Sequence, residues 1–254
     1  KLELSGSGIP CRIQGTNGDG VTEQDEVTRP LGTRYPMRDV VIVDYKVGNL
    51  YSLEGAFEHI GASCVISSDP EVIRNAQVLI LPGVGAFGDG MKNLKELGLV
   101  EAVRDYANAD KPLLGICLGM QLLMTESEEF GLHQGLDLIP GRVLRFKDPE
   151  PEGEQYKIPN VGWCGLELPS HQTDWASTIL QNIDRGDAMY FVHSYKVVPS
   201  DPAHCLAEAS YAGDPYCAVV RKGQIYGCQF HPEKSGELGL GILTNLLEEV
   251  SCAS

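Results

Sequence analysis

The sequence has 254 residues, a formal net charge of −15 and 43% hydrophobic residues, which is enough chain to bury one large core. The acidic balance argues against a nucleic-acid surface as the main function. No stretch approaches the roughly 18 apolar residues of a membrane-spanning helix, and the N-terminus lacks the apolar region of a secretory signal. We therefore predict a cytoplasmic protein with no nucleic-acid and no membrane partner.

Eight cysteines are scattered along the chain, with no Cys-x-x-Cys pair and no Cys/His grouping at the spacing of zinc ligands. A cytosolic protein keeps its thiols reduced, so we expect no disulfide framework. We predict no metal and no cofactor. Seven of the cysteines are interpreted as packing or surface residues, and Cys117 is the exception.

Residues 1–37 differ in composition from the rest of the chain. They are rich in Gly, Ser, Thr, Asn and Pro, carry mixed charges and show no apolar periodicity. We predict a flexible extension there and a folded domain over residues 38–254, with Met37 as a candidate natural start. A cloning remnant or an over-extended reading frame would explain the upstream part, and a regulatory arm is the functional alternative.

Strands and helices alternate in the first half of the chain. The pattern predicts an α/β fold with a doubly wound, mostly parallel sheet and right-handed crossovers. Asp69 precedes Pro70, which is the capping pattern of a helix start. The predicted elements are a strand at Val40–Val43, a helix ending near Ile60, a strand at Cys64–Ile66, a helix opening at Asp69, a strand at Val78–Leu81 and a helical region over about Met91–Ala107.

The stretch Pro112–Gln121 predicts a buried parallel strand, a sharp turn and a helix. Gly115 and Gly119 flank Cys117 at minus and plus two, which is the spacing of a nucleophile elbow with sulfur as the nucleophile. The backbone is strained at such a turn, and side chains two residues away would collide, so glycines are needed. The N-terminus of the following helix would favour the thiolate. The alternative is a small buried cysteine between two glycines.

A glycine-rich loop, Pro82–Gly88, follows the third strand. Gly83 and Gly85 surround Val84, so backbone amides of these three residues can turn inward and supply N–H groups to an oxyanion. A phosphate-binding loop is disfavoured because neither a Walker lysine nor a Gly-x-Gly-x-x-Gly pattern follows. A plain tight turn is the remaining alternative.

After Pro140 the pattern changes to short β segments, which predicts antiparallel strands beside the parallel sheet. Lys222-Gly223-Gln224 predicts a hairpin turn, and the acidic, proline-rich segment Lys147–Gln155 predicts a surface loop. A last helix is expected over about Leu238–Val250. The predicted strands are Arg142–Phe146, Val161–Leu168, Met189–Val198, Leu206–Ala209, Ala218–Lys222 and Gln224–Gln229.

A candidate base and its partner lie near the C-terminus, where a predicted strand ends at His231 and Glu233 follows two residues on. An imidazole can take the thiol proton, while a carboxylate fixes its tautomer and stabilises the imidazolium. His-Pro-Glu alone is a weak signal, and a surface loop is the alternative. Together with Cys117 and the glycine loop, it completes a set of nucleophile, base, orienting carboxylate and oxyanion donors. His193 is interpreted as a structural residue within a strand.

These motifs together resemble the class I glutamine amidotransferases, and more closely the glutaminase subunits of imidazole glycerol phosphate synthase in histidine biosynthesis. The resemblance covers the chain from about Arg38 to the C-terminus. The elbow and His-Pro-Glu are general to the class, whereas Pro82–Gly85 and His231–Ser235 indicate the subfamily. The matching segments are Asp44-Tyr45, Gly48–Leu50, Leu81–Phe87, Gly115–Gln121, Gly141–Val143, Val161–Trp163, Phe191–Tyr195 and Gln229–Ser235.

The resemblance implies hydrolysis of L-glutamine to glutamate and ammonia by a Cys-His-Glu triad. Cys117 would attack the side-chain amide, His231 would relay protons, and Glu233 would hold His231. The implied oxyanion donors are the backbone N–H of Leu118 and one from Val84 or Gly85. The implied glutamine-binding residues are Gln121, Glu129, Ser194 and Tyr195.

The resemblance also implies a heterodimer in which ammonia passes through a tunnel to a barrel-shaped cyclase subunit that makes imidazole glycerol phosphate and AICAR. In the family the glycine loop flips to complete the oxyanion hole only when the partner is loaded, so we predict low activity for the chain alone. The implied interface includes the loop Tyr45–Leu50, the segment Pro159–Trp163 and, as single residues, Asn49, Asn160, Trp163 and Lys234.

One segment departs from the family pattern. The family commonly has Pro-His-Met-Gly-Trp where this chain has Pro159-Asn160-Val161-Gly162-Trp163. Similar variants occur in paralogous glutaminases that supply ammonia for amidination of a surface-sugar precursor, which is therefore an alternative pathway. A stand-alone cysteine hydrolase or peptidase acting on small amides would be a different enzyme on the same scaffold. A binding module with a vestigial triad would be no enzyme at all.

Overall fold

The computed structural model describes residues 40–148 and 156–252, with side chains described up to residue 248. The predicted extension over residues 1–37, including the candidate start Met37, lies outside the described residues. So does most of the predicted acidic surface loop, residues 149–155. Within the described ranges, none of the helices combines the length and the apolar character needed to span a bilayer.

The described strands agree with the sequence pattern in type and approximate position. Two short strands, β5 and β6, were not predicted from the sequence. The strands are β1 (Val40–Val43), β2 (Cys64–Ser67), β3 (Val78–Leu81), β4 (Leu113–Ile116), β5 (Glu126–Ser127), β6 (His133–Gln134), β7 (Gly141–Arg145), β8 (Asn160–Gly165), β9 (Ala188–His193), β10 (Tyr195–Pro199), β11 (Cys205–Tyr211), β12 (Asp214–Lys222) and β13 (Ile225–Cys228).

The helices cover both faces of the sheet. Asp69 caps α2 as predicted, because its carboxylate accepts a hydrogen bond from the backbone N–H of Glu71 at 2.8 Å. The predicted single helical region over Met91–Ala107 is instead two helices, because Gly98 adopts a left-handed conformation (φ +68°) that ends the first one. The helices are α1 (Leu50–His59), α2 (Pro70–Asn75), α3 (Phe87–Glu96), α4 (Leu99–Asn108), α5 (Leu118–Leu122) and α6 (Gly236–Cys252).

In the part of the chain that the structure describes, one large sheet runs in the order β2-β1-β3-β4-β13-β12-β10-β7-β5-β6, with β11 paired to β12. The pairs from β2 to β13 are parallel, and β13-β12, β12-β10 and β10-β7 are antiparallel. The predicted doubly wound, mostly parallel sheet with antiparallel additions is confirmed.

Apolar side chains pack on both faces of this sheet in two clusters. Leu53 and Phe57 of α1 pack with Leu246 of α6 in one cluster. Met91 of α3 and Tyr106 of α4 belong to the other cluster. The residues of β1, β3 and β4 are all buried, as expected for parallel strands covered by helices on both sides. Helices therefore cover both faces of the strands that carry the candidate site.

Strand β13 brings the C-terminal motif to the elbow. It pairs with β4 in parallel register, Cys228 lies opposite Ile116, and the Cys117 N–H donates to the Cys228 carbonyl at 2.8 Å. The predicted hairpin turn is confirmed, since Lys222 pairs with Ile225 across it. The predicted strand over Met189–Val198 is interrupted at Ser194, because β9 pairs with β8 in a separate two-stranded sheet while β10 joins the large sheet.

Candidate active site

The elbow has the strained backbone that the glycine spacing predicts. Cys117 precedes α5 with φ +54° and ψ −108°, a positive φ that is rare outside glycine. A Cβ on Gly119 would lie 1.7 Å from the Leu81 carbonyl oxygen, and one on Gly115 would lie 2.8 Å from the backbone of Gly119. Helix α5 has only five residues, so its dipole adds little to the stabilisation of a thiolate.

His231 and Glu233 form a buried pair beside the elbow. The Nδ1 of His231 lies 2.8 Å from the Oε1 of Glu233, and their side chains are 3% and 2% exposed. Burial by itself lowers the pKa of His231, but the nearby Cys117 sulfur and the Glu233 carboxylate outweigh it and raise that pKa to about 9. The pair has the geometry of a base and its orienting carboxylate.

The two reacting side chains, Cys117 and His231, line one cavity. The sulfur is close enough to raise the pKa of the imidazole. The buried Nε2 of His231 nevertheless forms no hydrogen bond of good geometry with any described residue. A loose nucleophile–base contact is common in enzymes without substrate and tightens when the substrate binds.

The glycine loop holds one predicted oxyanion donor in an internal hydrogen bond. The backbone N–H of Leu118 donates to the carbonyl oxygen of Gly83 at 3.3 Å, so this N–H is not free to meet an oxyanion. Gly85 adopts φ +100°, and Val84 is 42% exposed. The hydroxyl of buried Tyr45 donates to the Pro82 carbonyl and anchors the start of the loop.

A cavity of about 330 Å³ opens over Cys117 and has the size of a small-molecule site. A larger cavity of about 630 Å³ beside α3 shares only Glu129 with it and contains neither Cys117 nor His231, so the smaller one is the candidate site. The smaller cavity is lined by all four predicted glutamine-binding residues, Gln121, Glu129, Ser194 and Tyr195. The lining residues are Val84, Gly85, Cys117, Leu118, Gln121, Glu129, Pro159, Val192, His193, Ser194, Tyr195 and His231.

Glu129 differs from the acidic residues next to it. Glu126 and Glu128 both pair with Arg142 near the surface. Glu129 is buried, and its Oε2 accepts a hydrogen bond from the backbone N–H of Phe87 at 2.6 Å. Burial raises the pKa of Glu129, while the Phe87 N–H opposes that shift. A fixed carboxylate in the wall of the cavity is suited to an ammonium group.

His193 is a structural residue, as predicted. Its Nδ1 donates to the Tyr195 carbonyl at 2.8 Å, and its Nε2 lies 3.2 Å from the Nδ2 of Asn160. Burial lowers the pKa of His193 to about 4, so the ring is neutral at pH 7. The two bonds fix the tautomer and hold the backbone at Ser194 and Tyr195, which lines the cavity.

Asn160, predicted as an interface residue, is buried in this chain, so its side chain does not reach the surface. Asn160 is 1% exposed, and its amide also lies 3.3 Å from the Tyr216 hydroxyl. Side chains alternate along β8, so Asn160 points inward while Val161 and Trp163, both 57% exposed, share the outer face. This alternation explains why one segment contains both buried and exposed residues.

The remaining predicted interface residues are exposed. Asn49 lies just before α1 and donates to the Ser52 hydroxyl at 2.6 Å rather than to a backbone N–H. Lys234 follows Glu233 in a short 3₁₀ turn and is also exposed. Their contact with a partner stays a prediction.

Sequence reasoning missed two buried contributors to the site, Tyr45 and Gln229. Tyr45 follows the carboxyl end of β1, where functional residues are expected, but it was assigned only to the interface loop Tyr45–Leu50. Gln229 begins the matching segment Gln229–Ser235, but no role in the site was predicted for it. Its role depends on the contact of β13 with β4, which the sequence pattern does not specify.

Comparison with known proteins agrees with this geometry. The family "Glutamine amidotransferase class-I" matches residues 41–250, so the chain belongs to the class I glutamine amidotransferases. It is 49% identical over 212 residues to "Imidazole glycerol phosphate synthase subunit HisH 1" of Legionella pneumophila, covering 84% of this chain and 100% of that one. It is 50% identical over 204 residues to the HisH subunit of a Geobacillus species, covering 80% and 93%. Within the class, the chain is a member of the HisH family of glutaminase subunits.

Solved structures agree on the fold. A structure described as a glutamine amidotransferase superposes with a TM-score of 0.62 at 19% identity, covering 83% of this chain and 98% of that one. A putative GMP synthase subunit from Thermoplasma acidophilum gives a TM-score of 0.59 at 17% identity, covering 86% and 96%. At these identities the likeness concerns the architecture alone.

Proposed function

We propose that the chain hydrolyses the side-chain amide of L-glutamine and delivers the ammonia to the cyclase subunit of imidazole glycerol phosphate synthase. The observation that carries the proposal is the buried His231–Glu233 pair beside a strained Cys117 at the floor of one cavity. The 47–50% identity to HisH subunits over most of the chain supports the histidine pathway over amidination of a surface sugar.

The proposed chemistry uses each triad residue once per half-reaction. The Cys117 thiolate attacks the amide carbon of glutamine, and protonated His231 gives its proton to the nitrogen as the C–N bond breaks and ammonia leaves. A water then attacks the thioester while His231 takes its proton. The C–S bond breaks, which releases glutamate and restores the thiolate. Glu233 stabilises the imidazolium throughout.

The proposed oxyanion hole requires a rearrangement of the glycine loop. Rotation of the Gly83–Val84 peptide would remove the carbonyl that now accepts from Leu118 and turn an N–H toward the same place. The exposure of Val84 supports such a rotation, because little packing opposes it. The chain alone therefore has an incomplete oxyanion hole.

This arrangement predicts activation by the partner. Removing one oxyanion donor typically costs about 100-fold or more in rate, so the isolated chain should release glutamate at least about 100 times more slowly than the loaded complex. Steady-state glutamate release, measured with and without the ligand-loaded cyclase subunit, tests the proposed function. Equal rates in the two conditions would instead favour a stand-alone hydrolase.

We infer that the partner docks over the outer face of β8 and β9. Val161 and Trp163 are 57% exposed there and Val192 is 36% exposed, which places an apolar patch beside the cavity that Val192 itself lines. Asn49 and Lys234 are proposed to lie at the polar rim.

A charge in this patch should weaken the complex. Val161→Asp is expected to raise the dissociation constant about tenfold or more, since a charge at the centre of an apolar interface must be desolvated. Titration calorimetry with the cyclase subunit measures it. Val65→Asp is a matched control, because Val65 is a strand valine of similar exposure (51%) that lines no part of the cavity. Equal effects of the two substitutions would rule out this docking face.

The raised pKa of His231 predicts a limit to activity at high pH. Because that pKa is about 9, the imidazolium that protonates the departing amide nitrogen is present below pH 9 and is lost as the pH rises through it. The kcat/KM of the complex should fall above that value. Glu233→Gln removes a carboxylate that raises the pKa, so the fall should begin about one pH unit lower. An unchanged alkaline limb in this variant would contradict the role of Glu233.

A cytoplasmic location is part of the proposal. The six cysteines whose side chains the structure describes, at 64, 117, 164, 205, 217 and 228, are all free thiols. Reduced thiols, one of them a proposed nucleophile, fit a reducing compartment. No metal or cofactor enters the proposed reaction.

A further inference from the structure

Gln229 is a fully buried polar residue that contacts the nucleophile. It follows β13 directly, and since Cys228 lies opposite Ile116, Gln229 lies beside Cys117. Its backbone N–H donates to the Ala218 carbonyl at 2.9 Å, which fixes the main chain. Its side-chain Nε2 lies 3.7 Å from the Cys117 sulfur, within the range of an N–H···S hydrogen bond.

The orientation of the Gln229 amide follows from a chain of contacts that begins at the backbone. The carbonyl oxygen of Tyr195 can only accept, and the Gln121 amide lies 3.4 Å from it, so the Nε2 of Gln121 must face this oxygen. The same Nε2 lies 3.1 Å from Gln229, whose facing atom must then be its acceptor, Oε1. The Nε2 of Gln229 is left facing the sulfur.

The Cys117 sulfur has a second contact, with a carbonyl oxygen, which favours the protonated thiol rather than the thiolate. The Val192 carbonyl oxygen lies 3.9 Å from the Cys117 sulfur and can accept only from a protonated thiol. The Gln229 N–H, which is slightly nearer, gains strength when the sulfur is negative, because charge-assisted hydrogen bonds are about twice as strong as neutral ones. Gln229 therefore favours the thiolate.

We propose that Gln229 is a further catalytic residue, which donates its side-chain N–H to the Cys117 sulfur and stabilises the thiolate before attack and after glutamate leaves. This inference rests on the proposed function of Cys117 as the nucleophile. It also gives Gln121 a second role, since Gln121 holds the Gln229 amide in the orientation that aims the N–H at the sulfur.

The test follows alkylation of Cys117 by iodoacetamide as a function of pH, with the modified peptide quantified by mass spectrometry. Gln229→Met keeps the volume but removes the donor, and Gln229→Glu places an acceptor there. Both should move the midpoint of the Cys117 alkylation profile upward, by about one pH unit relative to the unmodified chain. An unchanged midpoint in a folded Gln229→Met variant would overturn the proposal.

Two controls accompany these variants. Cys64 is half-buried and outside the cavity, so its alkylation profile in the same samples should not move. Gln134→Met changes an exposed glutamine outside this cavity and should leave the Cys117 profile unchanged. A common shift in all samples would indicate an effect of the reagent or the solvent and would count against the proposal.

A measurement on the native sequence decides the question if neither variant folds. In protein labelled with ¹⁵N in its glutamine side chains, the NMR chemical shifts of one side-chain NH₂ group should change with pH, with the same midpoint as Cys117 alkylation. This pH dependence should vanish in Cys117→Ala. If no glutamine amide titrates, the proposal fails. Glutamate release by the unmodified complex is assayed separately, so loss of the proposed function would not be mistaken for failure of this inference.

Discussion

Replacing Cys117 with alanine should abolish glutamate release by the complex, lowering kcat by about four orders of magnitude or more. The sulfur forms and breaks the covalent bond in both half-reactions, and no other described thiol lines the cavity. The measurement is steady-state glutamate production in the presence of the ligand-loaded cyclase subunit. The fold should persist, because the change removes one sulfur atom at the edge of a cavity.

The matched control for this prediction is Cys64→Ala. Cys64 is a half-buried residue of β2 and lies outside the cavity, so its loss should leave kcat within about twofold of the original value. Retained turnover in Cys117→Ala, with Cys64→Ala equally active, would reject the covalent mechanism. In that case the chain would have the fold of the family but not the proposed catalytic mechanism.

Gly119→Ala should destabilise the protein strongly and remove activity together with the fold of the elbow. The added Cβ would lie 1.7 Å from the Leu81 carbonyl oxygen, a backbone atom of a buried strand that cannot move without disturbing β3. We expect the free energy of unfolding to fall by about 3 kcal/mol, at the upper end of the usual cost of overpacking. Urea denaturation of the isolated chain measures this change.

Gly55→Ala provides the comparison within the same chain. Gly55 is an exposed residue in the middle of α1, and a Cβ there would meet no atom within 4 Å. Alanine in a helix interior is favoured over glycine by about 1 kcal/mol, so this variant should be slightly more stable than the original. If Gly119→Ala behaved like Gly55→Ala, the close approach of the elbow to β3 would be wrong.

The sequence predicted the parallel half of the fold well, because buried parallel strands are short apolar runs that need no partner to be recognised. Val40–Val43 and Val78–Leu81 are strands with the predicted bounds. The two helices within residues 87–108 were predicted as one region, since the amphipathic pattern continues past Gly98 and only its left-handed backbone separates them. The two-residue strands β5 and β6 are too short for periodicity to reveal.

The candidate site was predicted where function depends on a local motif and missed where it depends on contacts distant in sequence. The spacing of Gly115, Cys117 and Gly119 encodes a turn, so its strained geometry followed from the residues alone. Asn160 was predicted as an interface residue together with its segment, yet the alternation of β8 turns its side chain inward. Gln229 contacts Cys117 only because β13 pairs with β4, and the spacing of residues in the sequence does not specify that register.

The most direct test of the proposed chemistry is to map where a chloroketone analogue of glutamine attaches, in the chain alone and with the cyclase subunit. If Cys117 lies at the floor of a glutamine site beside His231, mass spectrometry should find one adduct per chain, on Cys117, and added glutamine should slow its formation. Adducts spread over several cysteines, or a rate that glutamine does not change, would contradict the proposed site.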